Sequence, residues 1–194
     1  ANIETTKDTI IQATFAVDTS QLENCLPPGF WLREPNVICL TFVYVKEIEW
    51  LAGRGYNTFG ISAPATYKGQ RDTVHGDFTF VLWENMADPI ITGRDDLGIA
   101  KLYCEIPEPQ VVGNDVICRA SWDGHQFASL KLSGLNQVAP EDLPESPPSE
   151  GDLHYKYIPK TSTPGVSDVE CPVLTPSDWP NMKIDHAMKA ENAA

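Results

Sequence analysis

Basic residues are scarce in this chain: 14 Lys and Arg stand against 27 Asp and Glu, a formal net charge of −13. Nucleic acid and anionic membranes both require a positive surface, so neither is expected as a partner. Long hydrophobic runs are missing too. The longest, at 37–45, is interrupted by Thr41 and falls well short of the roughly 18 residues of a spanning helix. The first residues are polar and lack the apolar stretch of a secretory leader. Five cysteines (Cys25, Cys39, Cys104, Cys118, Cys171) are an odd number without Cys-x-x-Cys spacing. A metal cluster and a disulfide framework are therefore not expected, and a reducing, cytoplasmic location is. The four histidines (His75, His125, His154, His186) are far apart, with no partner at metal-ligand spacing. There is no Gly-rich phosphate loop, no His-Glu-x-x-His and no Gly-x-Ser-x-Gly. No metal and no cofactor is expected.

What remains is globular: 42% hydrophobic and 21% charged residues over 194 positions, enough chain to build a core without staples. One domain covering 1–194 is the expected organisation. The rhythm is that of strands. Residues 36–45 read NVICLTFVYV, and 56–67 continue in that style, with Pro64 marking a bend or an edge. Further strands are expected at 77–83 and 102–106. Two strand-like runs flank Asp123-Gly124, a strong hairpin signal. Short helices are expected at 19–25, capped by Thr19 or Ser20, and near the C-terminus. Residues 139–152, rich in proline and acidic side chains, read as a solvated loop before strand character resumes in LHYKYIPK.

The informative stretch is WENMADPIITGRDDLGIAKLYCEI at 83–106. It reads as a strand ending at Asp88-Pro89, a turn through Gly93-Arg94-Asp95, and Lys101 opening the next strand. Lys101 is flanked by Ile99-Ala100 and Leu102. One reading is a surface lysine snorkelling past apolar neighbours. The other is a lysine in an apolar pocket, where burial disfavours the ammonium form and the free amine attacks carbonyl groups. On a strand, Lys101, Tyr103 and Glu105 would share one face as a cavity mouth. Leu102, Cys104 and Ile106 would share the other as core. Cys39, Cys104 and Cys118 lie in apolar strand runs, where thiols are inert.

The segment ADPIITGRDDLGIAKL resembles the acetoacetate decarboxylase superfamily, whose signature runs from an apolar-Ala/Pro strand through Gly-Arg-Glu to a lysine about seven residues beyond the Arg. Glu34-Pro35, Gly55-Tyr56-Asn57 and Gly76-Asp77 extend the likeness upstream. The resemblance implies an α+β, predominantly β fold, an antiparallel barrel or cone with a few short helices around an apolar cavity. It also implies a homo-oligomer. Lys101 matches the imine-forming lysine, and Arg94-Asp95 match the Arg-Glu pair, which an ion pair pinning the turn explains equally well. The departures are specific. The family's second lysine is Leu102 here, its tyrosine two before the lysine is Ile99, and the intervening proline is Ala100. The two cavity glutamates fall at Leu40 and Thr58. These losses weigh against acetoacetate itself as substrate, and Leu102 would help to desolvate Lys101.

Three functions follow. The first is a lyase-type enzyme in which Lys101 forms an imine with a ketone, β-keto acid or polyketide-type carbonyl substrate. Its outcomes are decarboxylation, aldol cleavage or dehydration. The second is a non-covalent isomerase or cyclase that closes a ring in a larger polyketide-like secondary metabolite. There Lys101 would act as acid, base or cation. The third is a small-molecule carrier. Lys101 and Arg94 are the candidate catalytic residues. Tyr56, Thr58, Trp83 and Arg119 are the candidate substrate-binding residues. Arg119 is included because a charge in mid-strand needs solvent or a partner. His125, just after the turn, is expected to be exposed.

Overall fold

A computed structural model describes residues 6–144, 148–177 and 182–194. The main sheet contains β1 (Lys7–Ala16), β2 (Phe30–Leu32), β3 (Val37–Lys46), β4 (Tyr56–Lys68) and β5 (Thr73–Glu84). It is completed by β6 (Lys101–Tyr103), β11 (Gly151–Pro159) and β12 (Ser167–Pro176). Its order is β1-β3-β4-β5-β11-β12, with β2 added to β4 and β6 to β5. A second sheet holds β7 (Gln110–Val112), β8 (Asp115–Trp122), β9 (His125–Ser133) and β14 (Asn192–Ala193). β10 (Asn136–Val138) pairs with β13 (Ala187–Lys189). The helices are α1 (Ser20–Glu23) and α2 (Ala87–Asp95). Among the described residues no helix is long and apolar enough to cross a membrane.

The β-rich fold with few short helices is the one expected from the sequence. The strands at 36–45, 56–67 and 77–83 fall within or close to β3, β4 and β5. The pairing is less uniformly antiparallel than expected, since β5 runs parallel to both β6 and β11. Parallel neighbours need a crossover, and α2 is the crossover between β5 and β6.

Pro64 lies within β4 at an edge position, one of the two readings expected of it. On one side it pairs with Asp77 of β5. On the other, β3 ends its pairing at Ser62 and β2 begins at Ala65, so the missing N–H falls in the gap between two partners. The Asp123-Gly124 hairpin is present: Trp122 pairs with His125, and both turn residues have positive φ, 50° and 76°. That is the two-residue loop whose twist matches flanking strands.

α1 is shorter than expected and is not capped by the side chain of Thr19. Instead the Asp18 carboxylate accepts from the Ser20 N–H at 3.0 Å. The expected C-terminal helix is replaced, among the described residues, by β13 and β14. Residues 140–142 of the acidic loop form one short 3-10 turn, and 145–147 lie outside the described residues.

Strand alternation gives the main sheet two unlike faces. One face carries Phe42, Phe59 and Trp83 side by side on β3, β4 and β5. Their rings stack at 4.4 Å and 5.2 Å between centroids. This face buries against the second sheet, where Phe42, Tyr44 and Phe59 join Cys118, Leu130 and Leu132 in one core. Further along the sheet, Phe30, Ala65, Phe78 and Leu153 form a second core. On the opposite face α2 packs against β5 and β6.

Candidate active site

The largest correction to the sequence reading is at 87–95, which is helix α2 and not a strand end followed by a turn. Pro89 sits in the first turn, where its missing N–H has no helical partner to lose. Asp88 in the first turn and Arg94 in the last both complement the helix dipole. Gly93 is a poor helix former, yet a Cβ there would lie 2.3 Å from Lys101 Cε. The glycine is present because the lysine chain runs across the helix at that point.

Lys101 opens β6 and pairs in register with Leu82 of β5. Two residues on, Glu84 points to the same side of β5 as Leu82. The two charges meet there, with Lys101 Nζ 2.7 Å from Glu84 Oε1. Both side chains are buried, at 7% and 1% exposure. Nζ also donates to the Pro89 carbonyl of α2 at 3.0 Å. Burial pushes the Glu84 carboxyl up, opposed by the hydrogen bond and charge of Lys101. Its second oxygen, Oε2, has no hydrogen-bond partner among the described residues.

β11 closes the other side. Leu153 faces the second core, so alternation turns His154 and Lys156 the other way, toward the connection between α2 and β6. Lys156 abuts Gly98 and donates to the Asp95 carbonyl, which fixes that packing. His154 is buried at 3% exposure, and neither ring nitrogen has a partner among the described residues. Burial, helped by the charge of Lys101, holds its pKa down to about 4, so the ring is neutral at pH 7.

That shift has a measurable consequence. The unfolded ring takes up a proton near its ordinary value of 6.5, and the folded ring only near 4. Between those values the unfolded chain binds more protons, so stability falls as pH drops through the window. The full loss is about 3 kcal/mol, complete near pH 4. Urea unfolding of the wild-type and His154→Leu proteins from pH 7.5 to 4 checks this. The acid-side loss attributable to His154 disappears in the variant, while groups shifted the other way, such as Glu84, contribute to both curves.

The expected site residues separate into two groups. Lys101 is buried, which removes the surface-snorkelling reading. Tyr56 and Thr58 come to its face: Thr58 pairs directly with Glu84 across the ladder, and Tyr56 lies two residues along β4. Burial pushes the Tyr56 phenol up to about 12, with Glu84 adding to the shift. Arg94 is adjacent but acts on the backbone, donating to the Lys101 carbonyl at 2.8 Å. It pins the lysine and does not reach Nζ.

Trp83 faces the other way and lines a 310 Å³ cleft with Leu40, Phe42, Phe59, Ile61 and Phe127. Arg119 stands on β8, where it donates to Gln110 Oε1 at 3.0 Å, apart from Lys101. Lys101 therefore does not line this apolar cleft but lies behind the sheet that forms the cleft's wall. Leu102 is 50% exposed and does not desolvate Lys101. The expected alternation fails because β6 is only three residues long: Lys101 is buried and Tyr103 exposed, while Cys104 and Ile106 are core as expected. Burial pushes the Cys104 and Cys118 thiols up, and both are inert core; His125 is exposed.

Glu84 and His154 were not found from the sequence. Glu84 ends the apolar run FTFVLW and reads there as a strand terminus.

Residues 2–187 match the family model described as acetoacetate decarboxylase (ADC). Among solved structures, an acetoacetate decarboxylase from Legionella pneumophila is 20% identical with a TM-score of 0.68, over 87% of this chain and 63% of that one. MppR, an enduracididine biosynthesis enzyme solved with the condensation product of pyruvate and imidazole 4-carboxaldehyde, is 16% identical with a TM-score of 0.60. That match covers 81% of this chain and 64% of MppR. An acetoacetate decarboxylase-like enzyme from Sphingomonas wittichii RW1 is 16% identical with a TM-score of 0.65, over 94% and 84%. The chain thus spans just under two thirds of the length of the first two. No curated protein matches it.

Proposed function

The chain belongs to the acetoacetate decarboxylase family, and from that premise we propose that it is an enzyme of carbonyl chemistry in which Lys101 forms an imine with a small ketone-type substrate. The observation that carries this reading is the buried contact of Lys101 Nζ with Glu84 Oε1 at 2.7 Å. A nucleophilic lysine must shed a proton, add to a carbonyl, and then see the carbinolamine oxygen leave as water. Glu84 is placed to take the first proton and to return one to the departing hydroxyl. The iminium then accepts the electron pair of the bond broken beside it, whether that bond releases CO2, an aldehyde or a proton. Protonation of the enamine and hydrolysis restore the amine. Pro89 and Gly93 of α2 lie against the lysine and cover Nζ on that side.

A second reading is favoured by the apolar cleft on the other face of the sheet. Its stacked aromatic wall suits a larger apolar ligand, held as a carrier would hold it or folded for ring closure without a covalent step.

Borohydride trapping with simple ketones, β-diketones and β-keto acids, read by peptide mass spectrometry, separates the two. The imine reading expects a reduced adduct on Lys101 that is absent from Lys101→Ala. A folded protein that gives no adduct with any compound, yet is stabilised against melting by an apolar ligand, would favour the cleft.

A further inference from the structure

We propose that His154 is a substrate-binding residue of the Lys101 site, and that the site takes an uncharged carbonyl compound bearing a hydroxyl or enol, a hydroxyketone or β-diketone, in preference to a keto acid. This rests on the imine reading above and narrows its substrate.

Three polar atoms are buried and have no partner among the described residues: Glu84 Oε2, whose carboxylate pairs with Lys101, and both ring nitrogens of His154, a ring that feels the charge of Lys101 from the neighbouring strand β11. Such atoms are rare in a native fold, because each forfeits its hydrogen bond to water, and a ligand is one way to satisfy them. Their chemistry specifies the ligand. An ionised Glu84 Oε2 only accepts, so it calls for a donor. A neutral imidazole offers one donor and one acceptor. A hydroxyl or enol both donates and accepts, so it suits Oε2 as a donor and the imidazole N–H as an acceptor. A carboxylate only accepts: it would satisfy the imidazole N–H but repel Oε2.

The charge balance agrees. Lys101 and Glu84 cancel, and Tyr56 is uncharged at neutral pH. Arg94 is engaged with the Lys101 carbonyl and Lys156 with the Asp95 carbonyl. Both of those bonds go to neutral carbonyls and neither cation is shown at Nζ, so a substrate carboxylate beside Lys101 would have to compete with Glu84 for the one ammonium there.

The test compares hydroxyacetone and acetylacetone with pyruvate and acetoacetate, on the wild-type protein and His154→Leu. Two readouts are taken at equal concentrations: the rise in melting temperature, and the adduct on Lys101 after borohydride reduction. The expected result is at least tenfold more adduct with the neutral pair than with the keto acids, and a melting rise with the neutral pair alone. In His154→Leu both responses fall about tenfold, while the unliganded protein melts at the same temperature or higher because an unpaired polar ring has gone. Equal response to keto acids overturns the proposal, and so does a variant that responds like the wild type. A melting rise that depends on His154, without any adduct, would support the binding role and overturn the imine. No melting rise and no adduct with any compound overturns both.

Discussion

Glu84→Ala is expected to destabilise the protein by about 3–5 kcal/mol, because it strands the Lys101 ammonium at a position only 7% exposed. Lys101→Met strands the Glu84 carboxylate in the same way, though protonation of a carboxyl already pushed up by burial softens the loss. The double variant Lys101→Met with Glu84→Leu is the informative comparison. Buried ion pairs replaced by apolar side chains of similar volume commonly cost nothing or stabilise. Urea unfolding at pH 7 should therefore show a strongly non-additive cycle, with the double variant at or above wild-type stability. A single variant costing less than about 1 kcal/mol would mean that the pair is open to solvent, where such contacts contribute little. The expected non-additivity bears on function. A pair that an apolar substitution could replace without loss is not retained for stability, and its chemistry remains as the reason for it. Both single variants should also lose the borohydride adduct, Lys101→Met because the amine is gone and Glu84→Ala because the proton acceptor is.

The sequence disclosed this site unevenly, and the reasons are local. Strands β3, β4 and β5 were legible because β-branched and aromatic residues are concentrated in them, and the Asp123-Gly124 hairpin because two positive-φ residues leave few alternatives. Lys101 was legible as one charge between apolar neighbours. Helix α2 was not, because Pro89 and Gly93 are turn residues by propensity. They serve instead to start a helix and to let a lysine pass beneath it, and both demands come from packing that no local window contains. The partners were hidden for another reason. Glu84 and His154 lie 17 and 53 positions from Lys101 in the chain and reach it only through the β5–β6 and β5–β11 pairings. Both of these are parallel, so no hairpin spacing announces them. Trp83 and Arg119 were drawn in by residue type, as an aromatic and a mid-strand charge. Alternation on β5 sends Trp83 to the cleft, and Arg119 belongs to the other sheet.

Gly93 offers a test that changes no charge and removes no functional group. In Gly93→Ala the added methyl would lie 2.3 Å from Cε, 2.5 Å from Nζ and 2.7 Å from Cδ of Lys101, too close for any of them to stay. A flexible lysine tip at a surface would swing aside at little cost. This one is held by Glu84 and by the Pro89 carbonyl, so moving it breaks the 2.7 Å ion pair or lifts α2 from the sheet. Overpacking of this kind costs about 1–3 kcal/mol, offset in part by the roughly 1 kcal/mol that alanine gains over glycine within a helix. The net loss of stability is thus about 0–2 kcal/mol, far smaller than for Glu84→Ala. The effect on chemistry is the larger one: with Nζ displaced from Glu84, Lys101 adduct formation should fall by about 100-fold, the loss that misplacement of a reacting group by an ångström produces. Rates of borohydride-trapped adduct formation, measured beside urea unfolding of the same samples, check both halves. A Gly93→Ala protein that unfolds like the wild type and still labels at the wild-type rate would show that Lys101 works from a position other than the one beneath α2.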